Sequence, residues 1–166
     1  MQWHEVLEVL DALERAGVRH WVAGGWGVDA LVGVETRRHR DLDLMVDADD
    51  HRACMATLAG LGYTVETDWL PVRVEVVASG DRWVDVHPVR FDAQGNGLQG
   101  DPDGTHFRYP PTAFVVGRLG DRHVPCMSAA EQARARTGYE LRPQDEHDLR
   151  QLAILRAPGQ RRNVTP

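Results

Sequence analysis

Apolar residues recur along this chain with two different spacings, which predict an alternation of helices and strands. Over residues 3–16 they recur every three or four positions, as on the buried face of an α-helix, and Gly17 is a stop signal. Over 41–46 and 83–89 they alternate with polar residues, as in strands with one buried face. The pattern therefore predicts an α/β fold in which helices pack on a mixed sheet.

The same signals give the order of the remaining elements. Helices are predicted at 3–16, at 26–32, from a cap at Asp47 or Asp49 to about 59, from a capping box at 128–131 to 138, and at 144–156. Strands are predicted at 20–23, 41–46, 63–67, 72–78 and 83–89, with short ones near 112–116 and 122–126. The stretch 92–104 is rich in Gly, Asp and Asn and is predicted to be a long loop. We expect one domain over 1–156 and a flexible tail over 157–166.

Composition excludes several classes of protein. The chain has 166 residues and a net charge of −6, with 19 basic against 25 acidic residues, which argues against a nucleic-acid-binding protein. No apolar run approaches membrane-spanning length and the N-terminus has no signal-peptide character, so a cytoplasmic protein without a membrane partner is expected. Cys54 and Cys126 lack metal-ligand spacing and are interpreted as reduced thiols in the core.

A glycine-rich turn between a strand and a helix is the first candidate for binding chemistry. Gly24, Gly25 and Trp26 follow the strand at 20–23 and open the next helix. The backbone N–H groups at a helix N-terminus are free to donate and lie at the positive end of the helix dipole. The turn is therefore predicted to hold phosphate oxygens.

Three carboxylates on neighbouring strands are the second candidate. Asp41 and Asp43 are two positions apart in one strand and must project from the same face. Paired carboxylates repel each other unless a cation neutralises them, and a divalent metal with oxygen preference is suited to this. Asp85 faces away from its two valine neighbours on another strand, where it could bind the metal, accept a proton from an attacking hydroxyl, or do both. The pattern favours nucleotidyl transfer with two Mg²⁺ ions.

Other polar residues extend this candidate site. His87 shares the face of Asp85, two positions further along the strand. Arg37 and Arg40 lie between the glycine turn and the acid pair, where a guanidinium could contact triphosphate oxygens. A solvated basic loop is the alternative interpretation of the arginines, and a solvated strand face is the alternative for the acids.

The linked motifs resemble the antibiotic nucleotidyltransferases of the polymerase-β superfamily, and most closely the small lincosamide nucleotidyltransferases of the LinA type. The similarity covers most of the chain. It is carried by residues 24–29 (GGWGVD), 39–43 (HRDLD) and 84–88 (VDVHP), joined by 68–71 (DWLP), 124–126 (VPC), 138–141 (GYEL) and 145–148. In the wider superfamily a phosphate-binding Ser usually stands in the glycine turn, where this chain has Trp26, so backbone N–H groups and nearby arginines would do more.

The resemblance implies a polymerase-β-like fold and a reaction. AMP from ATP would be transferred with Mg²⁺ onto a hydroxyl of a small antibiotic, with release of pyrophosphate. Asp41 and Asp43 match the metal-binding pair of the family, and Asp85 matches its third carboxylate, the base. For the acceptor, the candidates are Trp69, His87, Tyr139 and His147.

Several alternatives stay open from the sequence alone. The acceptor could be a lincosamide, an aminoglycoside or another hydroxylated molecule, and the chain could act as a monomer or a homodimer. The turn also fits G-x-G-x-x-A of a NAD-binding oxidoreductase, although the helix that follows is short for that fold. A nucleotide-sugar transferase and a non-enzymatic, antitoxin-like nucleotide-binding module are the remaining alternatives.

Overall fold

The computed structural model describes residues 1–100 and 106–156, in which helices pack against a mixed sheet. The α-helices are α1 (Trp3–Arg15), α2 (Gly24–Val32), α3 (His51–Gly60), α4 (Ala129–Arg134) and α5 (Pro143–Arg156), with short 3-10 turns at Ala48–Asp50 and Pro111–Ala113. The strands are β1 (His20–Val22), β2 (Asp41–Asp47), β3 (Thr64–Trp69), β4 (Arg73–Ala78), β5 (Arg82–Phe91), β6 (Gly97–Gly100), β7 (His106–Tyr109), β8 (Phe114–Leu119) and β9 (Arg122–Met127). The predicted α/β architecture is confirmed.

The sheet has the strand order β3-β4-β5-β2-β1-β9-β8, with β6 and β7 added at the end of β5. Strand β2 runs parallel to β5, and β1 runs parallel to β9, whereas β1 and β2 are antiparallel. In the β2–β5 register, Asp43 lies directly opposite Asp85. The mixed sheet therefore brings two acids that are far apart in sequence onto neighbouring strands.

The two faces of the sheet have different environments. Leu42, Leu44, Val84 and Val86 are fully buried in the main core with α1 and α3, as their alternation predicts. The acids occupy the opposite face, which carries a smaller apolar cluster around Met45, Val89, Ala113 and Met127. The polar side chains of β2 and β5 therefore lie at the edge of a second, smaller core.

The predicted loop over 92–104 is wrong in part, because Gly97–Gly100 forms β6. This strand pairs with the end of β5 and with β7. A Cβ on Gly97 would lie 2.7 Å from Val89 Cγ1, so the glycine permits close packing of β6 on the second core. Residues 101–104 and the tail at 157–166 lie outside the described residues.

Most other differences concern element ends. The helix predicted to reach residue 138 ends at Arg134, and a 3-10 turn precedes α3. Cys54 and Cys126 are both buried and free, and burial raises their thiol pKa values to about 12 and about 11. Among the described residues, no helix is both long and apolar enough to cross a bilayer.

Candidate active site

Asp43, Asp85 and His87 form a compact group of potential metal ligands on the face of β2 and β5 opposite the main core. One ligand atom from each residue lies within 4.8 Å of the others. Asp85 is buried, whereas Asp43 and His87 are half-buried. The parallel register places the two carboxylates opposite each other, and His87 follows on the same face of β5.

Asp85 is held on one side only. Its Oδ2 accepts a hydrogen bond from Arg73 Nη1, whereas its buried Oδ1 has no hydrogen-bond partner among the described residues. Burial, followed by the negative charge of Asp43, raises the pKa of Asp85 to about 6. A buried anionic oxygen without a donor fits a cation, so the donor set agrees with a divalent metal that prefers oxygen.

Asp41 lies two residues before Asp43 and faces the same cavity, but it is outside the compact group. Burial and then the charge of Asp43 raise the pKa of Asp41. All three predicted acids therefore line one cavity, and the tightest convergence is that of Asp43 with Asp85. Their roles as metal ligands and base stay predictions.

The glycine turn lies directly beside these acids. Gly24 has φ +56°, and a Cβ built on it would lie 1.8 Å from Asp43 Oδ2. At Gly25 a Cβ would lie 2.2 Å from His39 Nδ1 and 2.6 Å from Arg37 Nη2. Only glycine allows the backbone of the turn to approach the acids and the arginine this closely, and the first N–H groups of α2 have no carbonyl partner within that helix.

The side chain of Trp26 does not face the cavity, which corrects the expected contact with nucleotide. The indole is fully buried, with its ring centroid 6.0 Å from that of Trp3 and 4.5 Å from that of His39. Its place in the helix puts the apolar ring into the main core. Only the backbone N–H of Trp26 is left for a role at the turn.

Both predicted arginines line the cavity of the acids, and each already has partners in the protein. Arg37 donates from Nε and Nη2 to Asp148, at 2.8 and 2.9 Å. Arg40 stacks on Trp83 at 4.8 Å and lies 3.5 Å from Glu75. Arg37 is thus fixed by a bidentate ion pair, whereas the side chain of Arg40 is largely exposed.

Two adjoining cavities meet at the glycine turn. The larger, of about 660 Å³, contains the three acids with arginines around them. The smaller, of about 280 Å³, has a mixed lining that includes Met45, Met127 and Tyr109. They share Gly24, Asp43, Arg136, Arg142 and Asp145. We call them the acidic cavity and the mixed cavity.

The four predicted acceptor residues separate into two pairs. His87 and Tyr139 line the mixed cavity. Trp69 and His147 line neither cavity, which changes their interpretation. Trp69 packs on the guanidinium of Arg73 at 4.7 Å, and His147 Nε2 lies 3.0 Å from Thr36 Oγ1, where it joins α5 to the loop before β2. Trp69 thus contacts the site through Arg73, which lines the acidic cavity, whereas Thr36 lines neither cavity.

Sequence reasoning missed four residues at this site: Arg73, Gln99, Tyr109 and Arg136. Arg136 is buried and donates to Asp148 at 2.5 Å, so one carboxylate holds two arginines. Burial alone would raise the pKa of Asp148, but hydrogen bonds and the charges of its two arginine partners hold it below the usual value. Gln99 lies in β6, inside the stretch predicted as a loop, and Tyr109 lies in β7 just after that stretch, so no local motif marks either residue.

Comparison with known proteins supplies independent information. A family model described as Aminoglycoside-2''-adenylyltransferase matches residues 5–152. A lincosamide resistance protein of Staphylococcus haemolyticus is 33% identical over 151 residues, which are 91% of this chain and 94% of the relative. A 2''-aminoglycoside nucleotidyltransferase of Klebsiella pneumoniae is 28% identical over 123 residues, 73% of this chain and 64% of the relative.

Solved structures agree with these relatives. The lincomycin-bound crystal structure of the lincosamide antibiotic adenylyltransferase LnuA is 32% identical, with a TM-score of 0.85 and coverage of 92% of this chain and 97% of that one. The crystal structure of ANT(2'')-Ia in complex with adenylyl-2''-tobramycin has a TM-score of 0.73 at 18% identity, with coverage of 93% and 88%. At 18% identity, the similarity to ANT(2'')-Ia shows a shared fold only.

Proposed function

Because the chain belongs to the aminoglycoside-2''-adenylyltransferase family of antibiotic nucleotidyltransferases, we propose that it transfers AMP from ATP to a hydroxyl of a lincosamide-type antibiotic and releases pyrophosphate. The observation that carries this proposal is the pair of adjoining cavities that share Asp43. One is built for an anionic group with metal, and the other for a small molecule with apolar surface. The membership removes the oxidoreductase, nucleotide-sugar transferase and non-enzymatic alternatives.

The acidic cavity takes the triphosphate in this proposal. Asp41, Asp43 and Asp85 would hold Mg²⁺, which when bound neutralises charge on the phosphates and aligns the reacting oxygens. Backbone N–H groups of the glycine turn donate to phosphate oxygens. Arg40 is exposed enough to turn from Glu75 toward the triphosphate, whereas Arg37 supports the turn from its fixed place on Asp148.

Asp85 is assigned the role of general base. It accepts the proton of the acceptor hydroxyl as the hydroxyl oxygen attacks the α-phosphate and pyrophosphate leaves. Without metal the pKa of Asp85 is about 6, so the carboxylate is ionised at neutral pH and able to accept a proton. Arg73 stays on the second oxygen and fixes the orientation of the carboxylate.

The charge of the mixed cavity favours a lincosamide over an aminoglycoside. Its lining has three carboxylates among the described residues, of which Glu131 is ion-paired with Arg134 and Asp145 with Arg142. Only Asp43 is left without an arginine, and it serves the metal. A polycationic aminoglycoside needs several unpaired carboxylates, whereas an acceptor with one cationic group and apolar surface fits Met45 and Met127.

The test is pyrophosphate release by the purified protein with ATP and Mg²⁺. We expect turnover with lincomycin and clindamycin, a much lower rate with tobramycin, and none after chelation of divalent ions. Mass spectrometry of the product should show the addition of one AMP group. Faster turnover of tobramycin than of lincomycin would overturn the acceptor assignment, and modification without a divalent ion would overturn the role of the acids. Asp85→Asn, which keeps the side-chain shape, is the inactive control.

A further inference from the structure

His87 is one member of a chain of hydrogen bonds that runs from the mixed cavity into β6 and β7. Tyr109 Oη donates to Gln99 Oε1 at 2.7 Å. Gln99 Nε2 donates to the carbonyl oxygen of Val72 at 3.1 Å and lies 3.1 Å from His87 Nδ1. At the other end, His87 Nε2 lies 3.6 Å from Asp43 Oδ1. The hydrogen bonds thus end at His87, whose other nitrogen lies next to a predicted metal ligand.

The backbone of Val72 decides which way the amide of Gln99 points. A carbonyl oxygen can only accept a hydrogen bond, so it requires the NH₂ end of the amide. The flipped amide would place Oε1 against this oxygen, and Gln99 is only 7% exposed, so water could not relieve the contact. The hydroxyl of Tyr109 accommodates either end of the amide and therefore does not decide its orientation.

A fixed amide also fixes the proton of His87. The two N–H groups of Gln99 are directed to Val72 and to His87 Nδ1, so Nδ1 has to accept. In a neutral imidazole that accepts at one nitrogen, the other nitrogen carries the hydrogen. We propose that Gln99 holds His87 as the Nε2–H tautomer, so that this N–H faces Asp43 Oδ1 at 3.6 Å and His87 is not a metal ligand.

This assignment excludes His87 from the metal site and agrees with the three carboxylates of the proposed function. Asp43, Asp85 and His87 lie close enough to share an ion, but an Nε2 that carries hydrogen has no lone pair for a metal. Moving the hydrogen to Nδ1 would set it against the amide hydrogens of Gln99. The third ligand is then Asp41, and all three side chains are carboxylates, which agrees with an ion that prefers oxygen. The catalytic part of this inference rests on the proposed function: His87 and Gln99 are positioning residues that orient Asp43 during transfer.

Nuclear magnetic resonance tests the tautomer without any need for activity. Long-range proton–nitrogen correlation on ¹⁵N-labelled protein at about pH 8.5, where an ordinary imidazole is neutral, distinguishes protonated from unprotonated ring nitrogens. We expect a protonated Nε2 and an unprotonated Nδ1 for His87, in the free protein and with saturating Mg²⁺ and ATP. Hydrogen on Nδ1 in the free protein, or loss of hydrogen from Nε2 on addition of Mg²⁺, would overturn the proposal.

Substitutions in the hydrogen-bond network distinguish the contributions of Gln99 and Tyr109 to the tautomer of His87. Gln99→Glu replaces the donor by an acceptor and should move the hydrogen of His87 to Nδ1. Tyr109→Phe should leave the tautomer unchanged, because the Val72 carbonyl orients the amide. Gln94→Glu makes the same chemical change at an exposed position and should leave the spectrum of His87 unaltered. A switched tautomer in Tyr109→Phe, or an unswitched one in Gln99→Glu, contradicts the mechanism.

Kinetics then connect the tautomer to catalysis. We expect Gln99→Glu to lower turnover about 10-fold to 100-fold, as the loss of a partner behind a metal ligand does. The effect should fall on kcat more than on KM for the antibiotic, and Gln94→Glu should match the wild type. An Nε2–H tautomer in a protein that modifies no antibiotic would refute the proposed function alone. An active protein with hydrogen on Nδ1 would refute this inference alone.

Discussion

Replacement of Asp85 by asparagine should stabilise the protein and abolish its activity. Burial and the neighbouring Asp43 raise the pKa of Asp85 from the ordinary value of 3.8 to about 6. The folded chain therefore holds a proton on this carboxyl more tightly than the unfolded chain does. At neutral pH the carboxyl is ionised in both states, so its charge lowers the free energy of unfolding. Asparagine keeps the shape and the acceptor for Arg73 but removes the charge.

The size of the effect follows from the two pKa values. The difference between 3.8 and about 6 corresponds to about 3 kcal/mol when Asp85 is ionised in both states. The destabilisation is complete above about pH 7, decreases as the pH falls through about 6, and disappears below 3.8. We expect Asp85→Asn to be more stable than the wild type by about 3 kcal/mol at about pH 8 and by about half as much at about pH 5.

Urea unfolding in the presence of a chelator measures this difference. Asp121→Asn is the control, because it makes the same change in an exposed turn and should leave the free energy of unfolding nearly unchanged. Added Mg²⁺ should narrow the gap, since the ion binds the folded wild type more tightly than the variant. If Asp85→Asn were no more stable than the wild type at about pH 8, or if the gap persisted in acid, the assigned electrostatic conflict would be refuted.

Three further predictions concern the support of the site. Gly25→Ala places a Cβ 2.2 Å from a histidine nitrogen, so it should lower the free energy of unfolding by about 1–3 kcal/mol and weaken ATP binding. Gly60→Ala is the control, because Gly60 has open space around it and its substitution should change neither quantity. Urea unfolding and ATP titration measure the two effects. Asp148→Asn weakens the pairing of two arginines and should lower the free energy of unfolding by about 3 kcal/mol in the same assay, and a loss below 1 kcal/mol would contradict the network. Cys54 and Cys126 are buried with raised thiol pKa values, so a thiol reagent should modify them only after unfolding, and rapid modification of native protein would contradict their placement.

The sequence predicted those parts of the site that depend on local geometry. Alternation along β2 places Asp41 and Asp43 on one face, and the same period places Asp85 and His87 together on β5. The parallel register that sets Asp43 against Asp85 depends on which strands become neighbours, which alternation does not determine. The resemblance implied a polymerase-β-like fold and matched Asp85 to the third carboxylate of the family, whereas the register comes from the structure.

Residues whose contacts are set by strand order could not be predicted from local patterns. Arg73 reaches Asp85 because β4 pairs with β5, and Gln99 reaches His87 because β6 pairs with the end of β5. Glycines at 97 and 100 resemble a loop signal, whereas in the structure they permit close approach of β6 to its neighbours. The predicted contact of Trp26 with nucleotide was wrong because a turn motif does not show which side of a short helix faces the core.

The arrangement around Asp85 explains how three acids can converge in a chain that also has to fold without metal. Arg73 pairs with one oxygen of Asp85 and rests its other face on Trp69, so part of the charge is balanced from within the protein. The second oxygen has no donor among the described residues, and burial followed by the charge of Asp43 keeps the pKa of the carboxyl high. An entering divalent ion therefore competes with no guanidinium at that oxygen. A second arginine on this oxygen would leave no oxygen for an ion, so the incomplete pairing of Asp85 agrees with the proposed metal site.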